Sequence, residues 1–220
     1  NTQKVFLEIV PTWFILPVIA FIIMLAVGKA IYNPIRKSRY VDYDKLSQHP
    51  ILKFLVIISS MYVAFSIGAN NVANASGPIA SMVLNELGLE PEGQNFILIM
   101  ILSTLIIAPN FGIGSSIFGY KILKTTGTEI VAFGPVGATA VSLLTATLLL
   151  LASVTKGIPT SLVQLNTGAI LALGVTKQGW KETFSKSSVK KFWIVWLIAP
   201  AIAFILSYFM VLLTDKLDIL

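Results

Sequence analysis

The sequence predicts an all-α, polytopic membrane protein with broken or re-entrant helices. The first observation is composition: 55% of the 220 residues are hydrophobic and 12% are charged, whereas about a quarter of a soluble domain is charged. The second is that long apolar runs alternate with short polar segments. The third is that two stretches within these runs carry amides, hydroxyls and glycines but no charge. Irregular backbone survives at membrane depth only where protein or an aqueous cavity surrounds it.

The apolar runs give the elements in order. The first, about 10–32, is long enough to cross a ~30 Å hydrocarbon core as a helix. The second covers 51–87, which at about 1.5 Å per residue is too long for one straight crossing. We therefore predict a broken helix, or a helix followed by a half-helix, in this run. The later runs cover about 96–120, 134–155, a moderately apolar stretch from 157, and 192–213.

The charges between the runs predict their orientation. The loops at 36–45 and 177–191 are basic and should be cytoplasmic, because short cytoplasmic loops carry an excess of Lys and Arg. The acidic turn at 86–92 should then face the outside, and alternation places Lys121 and Lys124 inside. The sequence thus predicts a multi-pass protein of the cell membrane whose surroundings are the lipid bilayer.

Several classes of function are excluded by composition. Cysteine is absent and histidine occurs once, so disulfides, thiol chemistry and an ordinary structural zinc site are ruled out. The net charge of +6 would suit a nucleic acid, but the basic residues lie in loops beside apolar runs, so we predict no nucleic-acid partner. No acid–base pair falls within a span, which predicts a protein that is not an enzyme and has no cofactor.

The stretch "SIGANNVANASGP" lies in the second run. Gly68 can unwind a helix there, and Asn70 and Asn71 can satisfy the freed backbone groups or bind a ligand. If the helix resumes, Asn70 and Asn74 lie one turn apart on the same face. Small residues also recur every four positions in this stretch, which is typical of close helix packing. The alternative is therefore that these amides only join helices.

The stretch "GIPTSLVQLNTG" indicates a second interruption. Pro159 suits the first turn of a new helix, and Thr160 and Ser161 then lie where N-terminal N–H groups point outward. On that helix, Thr160, Gln164 and Thr167 would form one polar stripe. A helix N-terminus carries roughly half a positive charge and readily binds anions. Many secondary transporters build their sites from such discontinuous helices.

Both stretches resemble the motifs of one family. "GANNVANASGP" resembles the "GANDVANAxGP" signature of the inorganic phosphate transporter (PiT) family, and "GIPTSLVQLNTGAILALGV" resembles its "GxPxSTTHxxxGxxxGxG" element. "FGYKILKTTGTEI" resembles the family stretch between them, and the likeness covers about 52–174. The family carries each motif once in each of two inverted repeats, and this chain has one copy of each. The Gly77-Pro78 ending resembles that of the second repeat, so the resemblance implies that this chain is the C-terminal repeat. It would be half of a sodium/phosphate symporter or of a related sulfate permease.

On this interpretation, residues 1–220 form a single transmembrane domain in which 1–50 supply a span and a cytoplasmic loop, 177–191 a cytoplasmic loop, and 192–213 the last span. The other repeat is expected to lie outside the sequence. The motifs depart from the family pattern: Asn71 stands where aspartate is usual, Gln164 replaces histidine, and Leu162 and Val163 replace two threonines.

The resemblance implies a secondary transporter that moves inorganic phosphate together with Na⁺. The residues expected to bind the anion are Thr160, Ser161, Gln164 and Thr167, and those expected to hold Na⁺ are Gly68, Asn70, Asn71 and Asn74. The alternatives are a sulfate permease of the same family, coupled to H⁺ instead of Na⁺, and a non-transporting membrane scaffold. The oligomeric state, including a homodimer, is left open.

Overall fold

The computed structural model describes residues 2–37, 49–124 and 130–216, and no strand occurs among them. A helical turn (Thr2–Lys4) and a π-helical segment (Val5–Ile9) lead into α1, and a second π-helical segment, Gly68–Val72, joins α2 to α3. The α-helices are α1 (Val10–Lys37), α2 (Pro50–Ile67), α3 (Ala73–Glu86), α4 (Gly93–Lys124), α5 (Gly134–Lys156), α6 (Leu162–Gln178), α7 (Trp180–Ser185) and α8 (Ser187–Lys216).

Five helices in the described part of the chain are long and apolar enough to cross a membrane. They are Val5–Asn33, Pro50–Glu86, Gly93–Ile117, Gly134–Lys156 and Ser187–Lys216. These bounds lie within five residues of the corresponding apolar runs, but the moderately apolar stretch from 157, which contains α6, is not among them. The predicted all-α, multi-pass membrane protein is therefore confirmed.

Contacts between helices agree with the alternating orientation. The Tyr62 hydroxyl lies 3.2 Å from the Thr147 hydroxyl, and seven residues further along α2–α3 the Ala69 carbonyl accepts a 2.8 Å bond from Ser153. Both residue numbers rise together, so the two helices run parallel, as two inside-to-outside spans should. Residues 38–48 of the predicted cytoplasmic loop lie outside the described residues.

The predicted break in the second run is wrong. Pro50–Glu86 is one continuous helical rod of 37 residues, and Gly68 has ordinary helical dihedrals (φ −56°, ψ −45°). The local change is the π-helical segment Gly68–Val72, which we call the π turn. A π turn accommodates an extra residue through i→i+5 hydrogen bonds. The backbone groups thus stay paired within the rod, and apolar surroundings favour this over unwinding.

The core is built around α6. Every residue from Thr167 to Val175 is buried, and α1 and α5 cover it with a cluster that includes Met24, Val141 and Leu173. Gly168 lets α1 approach closely, because a Cβ at this position would lie against the carbonyl oxygen of Pro17. This close packing holds the N-terminal end of α6 in place beside the π turn.

Candidate functional site

The two sequence motifs meet at the junction between α5 and α6. The helix α5 ends at Gly157, which has the left-handed φ of 59° that glycine adopts most easily. We call the non-helical residues Gly157–Ser161 the connector. The helix α6 begins only at Leu162, and Ser161 is its N-cap, with its Oγ accepting a 3.4 Å bond from the Gln164 N–H. This interruption agrees with the sequence, except that Pro159 lies before the cap and not in the first helical turn.

Asn70 joins the π turn to the connector with its whole side-chain amide. Its Nδ2 donates to the Ile158 carbonyl at 3.1 Å, and its Oδ1 accepts from the Thr160 N–H at 3.1 Å. Asn70 and Thr160 are each 4% exposed. The amide thus replaces the backbone partners that a regular helix or sheet would supply to the Ile158 carbonyl and the Thr160 N–H. Buried backbone groups of this kind are nearly always paired.

Trp13, on α1, also hydrogen-bonds the connector. Its indole Nε1 donates to the Pro159 carbonyl at 2.6 Å, across 146 residues of sequence. The sequence indicates only that Trp13, near the start of an apolar run, would suit a membrane interface. The only signal is general, since a tryptophan that is partly buried usually finds an acceptor for its N–H, and nothing local names the acceptor.

Ser153 is a second contributor that the motifs do not contain. Its hydroxyl donates to the Ala69 carbonyl in the π turn at 2.8 Å. A serine within a helix commonly bonds a carbonyl of its own preceding turn, so its sequence gives no sign of this partner. The bond ties the π turn to α5 four residues before the connector begins.

The residues predicted to bind the anion are only partly brought together. Ser161 and Gln164 are half-buried at the first turn of α6. Thr160 precedes the helix and donates to the carbonyl two residues earlier at 3.3 Å. The hydroxyl of buried Thr167 donates to the carbonyl four residues earlier at 2.8 Å. The predicted polar stripe of Thr160, Gln164 and Thr167 is therefore wrong, because α6 starts after Thr160 and the Thr167 hydroxyl is bonded within the helix.

The first turn of α6 nevertheless contains backbone N–H groups that no carbonyl of the helix accepts. Its first backbone bond runs from the Leu165 N–H to the Ser161 carbonyl at 3.2 Å, and Ser161 caps Gln164. The N–H groups of Leu162 and Val163 precede this bond, so the helix supplies no acceptor for them. Together with the half-buried Ser161, they form the positive end of a helix dipole.

The three asparagines of the first motif have different surroundings. Asn70 is buried, Asn74 is exposed, and the Oδ1 of Asn71 is buried with no hydrogen-bond partner. Asn70 and Asn74 lie four residues apart in one continuous rod and differ in burial, and their sharing one face stays a prediction. Buried polar atoms without a hydrogen-bond partner are rare in folded proteins, which distinguishes the Asn71 oxygen from those of the other two asparagines.

Lys156, the last residue of α5, lies directly before the connector, and its Nζ is 3.8 Å from the Glu8 carboxylate. Among the described residues, no group of three or more His, Cys, Asp or Glu side chains could hold a metal ion. The ligands that the π turn itself offers a cation are neutral amide and carbonyl oxygens, because its residues Gly68–Val72 include no acid. Amide and carbonyl oxygens are suitable ligands for hard cations.

Comparison with known proteins agrees with the motifs. Residues 34–207 match the phosphate transporter family, PHO4. Sulfate permease CysP of Bacillus subtilis is 28% identical over 214 residues, which are 96% of this chain and 54% of that protein. The putative phosphate permease PH0640 of Pyrococcus horikoshii is 33% identical over 166 residues, 74% of this chain and 39% of its own.

A third relative, the putative phosphate permease TK2061 of Thermococcus kodakarensis, is 30% identical over 164 residues. These are 73% of this chain and 38% of that protein. The chain thus matches about half or less of the length of these relatives, and no solved structure matches it. Most of the chain, including both motifs that form the junction, lies within the family match. The chain belongs to the phosphate transporter family.

Proposed function

We propose that the protein is a secondary transporter, not an enzyme, and that it carries inorganic phosphate in symport with Na⁺. The observation that supports this most strongly is the interrupted junction: the N-terminus of α6 is half-buried and carries N–H groups that the helix does not pair. Phosphate carries about −1.5 charge at neutral pH. Burying it is very costly unless dipoles and cations accompany it, and the start of α6 supplies the dipole.

The π turn is the proposed Na⁺ site. The unpartnered Oδ1 of Asn71 supports this, and the exposed amide of Asn74 on α3 is a second candidate ligand. The Gly68 carbonyl is not freed by unwinding, as the sequence predicted, so it offers a cation only its second lone pair. Asn70 contributes mainly by positioning, because both ends of its amide bond the connector; its oxygen keeps a second lone pair. A cation bound beside the anion lowers the cost of burying each of them, which is the physical basis of symport. Because the relatives are longer than this chain, we propose that a second repeat completes the site.

The coupling is tested by uptake of labelled phosphate into liposomes that contain the complete transporter, this chain together with its second repeat. We expect an inward Na⁺ gradient to drive accumulation, since the cation compensates the charge of the anion. A pH gradient alone is the control. Accumulation driven equally well by the pH gradient would reject Na⁺ in favour of H⁺, and no uptake by the folded protein would favour a scaffold.

Sulfate is the second candidate substrate. CysP, which matches 96% of this chain, is named a sulfate permease, and Asn71 replaces the aspartate of the family motif. Sulfate at neutral pH has no proton to donate, so its site does not need a carboxylate acceptor. Competition decides between the two anions: if phosphate is the substrate, excess unlabelled sulfate should leave labelled phosphate uptake nearly unchanged.

Asn71→Asp should strengthen Na⁺ binding. A carboxylate of the same size would replace the unpartnered amide oxygen, and a larger ligand charge raises cation affinity. We expect the Na⁺ concentration for half-maximal uptake to fall about tenfold, equivalent to about 1.4 kcal/mol. Asn110→Asp on α4, where the amide bonds its own helix, is the matched control. An unchanged Na⁺ dependence in Asn71→Asp would remove Asn71 from the cation site.

A further inference from the structure

We propose that Trp13 is a positioning residue for the anion site, an inference that rests on the proposed function. Trp13 lies on α1, outside both motifs, and its side chain is 39% exposed. Its indole N–H reaches the Pro159 carbonyl at 2.6 Å. The peptide group between Pro159 and Thr160 is also bonded at its other edge, by Asn70.

Trp13 and Asn70 hydrogen-bond opposite edges of the same peptide group. The Pro159 carbonyl and the Thr160 N–H belong to the same peptide unit, and in a trans unit these two groups point in opposite directions. Trp13 donates to the carbonyl, and Asn70 accepts from the N–H at 3.1 Å. Two side chains from two different helical rods therefore fix the rotation of this plane.

The other backbone hydrogen bonds of the connector do not fix the orientation of the Pro159–Thr160 peptide group. The N–H groups of Gly157 and Ile158 bond back to the end of α5, so that part of the connector is fixed by the helix it leaves. Proline has no N–H, which leaves the Pro159 carbonyl as that residue's single backbone hydrogen-bonding group. Without the indole, the Pro159–Thr160 peptide would be held at one edge and could turn about the Asn70 bond.

The orientation of this peptide matters for the anion because Ser161 follows it directly. Rotation of the Pro159–Thr160 plane displaces the cap residue and redirects the N–H groups of Leu162 and Val163. These N–H groups and the Ser161 hydroxyl would then no longer point toward one anion. The buried part of α6 from Thr167 onward would stay packed. Loss of the Trp13 bond should therefore weaken anion binding more than it slows the transport cycle.

Trp13→Phe tests this because it keeps an aromatic ring and removes the N–H. In liposome uptake driven by the Na⁺ gradient, we expect the KM for phosphate to rise about tenfold, as for one lost hydrogen bond. Vmax should stay within about twofold, since the bond is assigned to binding. Trp196→Phe on α8, where the indole packs against Trp193, is the control and should leave KM unchanged. A KM within twofold of wild type in Trp13→Phe would overturn the proposal.

Hydrogen–deuterium exchange without substrate separates this inference from the proposed function. In Trp13→Phe, amides of residues 158–165 should exchange at least several-fold faster than in wild type, while those of 169–175 should not change. Equal exchange at 158–165 would overturn the positioning role. If wild-type protein takes up neither phosphate nor sulfate, the proposed function fails, and the exchange result still decides whether Trp13 holds the connector.

Discussion

Asn70→Ala should reduce anion uptake by about 100-fold or more. The substitution leaves the buried Thr160 N–H without its partner, and the Ile158 carbonyl keeps only the 3.3 Å bond from the Thr160 hydroxyl. Each buried polar group left unpaired costs about 1–3 kcal/mol, and a loss of about 3 kcal/mol in the binding conformation corresponds to about 100-fold. The measurement is initial uptake at a phosphate concentration well below KM.

The control for this prediction is Asn110→Ala, which removes the same amide from α4. The Asn110 side chain is exposed and donates to the Ile106 carbonyl of its own helix at 2.8 Å, so uptake should stay within about twofold of wild type. Gel filtration and thermal unfolding in detergent should first show that Asn70→Ala is folded. Normal uptake by folded Asn70→Ala would contradict the assignment of the junction as the transport site.

Gly168→Ala should have the largest effect on stability. The added Cβ would collide with the Pro17 carbonyl oxygen, and because this is backbone, the collision cannot be relieved by a change of rotamer. α1 and α6 must separate, and overpacking of this kind costs about 1–3 kcal/mol. We expect the apparent Tm in detergent to fall by several degrees and the yield of folded protein to fall with it.

Gly114→Ala is the matched change, because a Cβ at Gly114 in α4 would meet no atom within 4 Å. Alanine is the better helix former by about 1 kcal/mol, so Gly114→Ala should leave the Tm unchanged or raise it slightly. A Tm for Gly168→Ala as high as that of Gly114→Ala would show that α1 and α6 do not approach as closely as the structure indicates. The pair therefore separates a packing glycine from one that only weakens its helix.

The interruption before α6 was predictable from local sequence, whereas the π turn was not. Glycine at a helix C-terminus and serine at an N-cap act through their own dihedrals and hydroxyls, and both do so here at Gly157 and Ser161. By contrast, Gly68 permits either unwinding or continued helix. Which of these occurs depends on neighbours such as Ser153, whose hydroxyl bonds the π turn.

The sequence by itself determined the five long apolar spans, the family and the two stretches where polar groups concentrate, because hydropathy, motif residues and capping are local properties. Only the tertiary structure decided that Asn70 and Trp13 hold one peptide of the connector, and that Asn71 is left with a buried, unpartnered oxygen. The Asn70 and Trp13 bonds join residues 88, 90 and 146 positions apart. A local pattern can show that an amide or an indole needs a partner, but only the packing of α1 and the π turn around the connector selects which one.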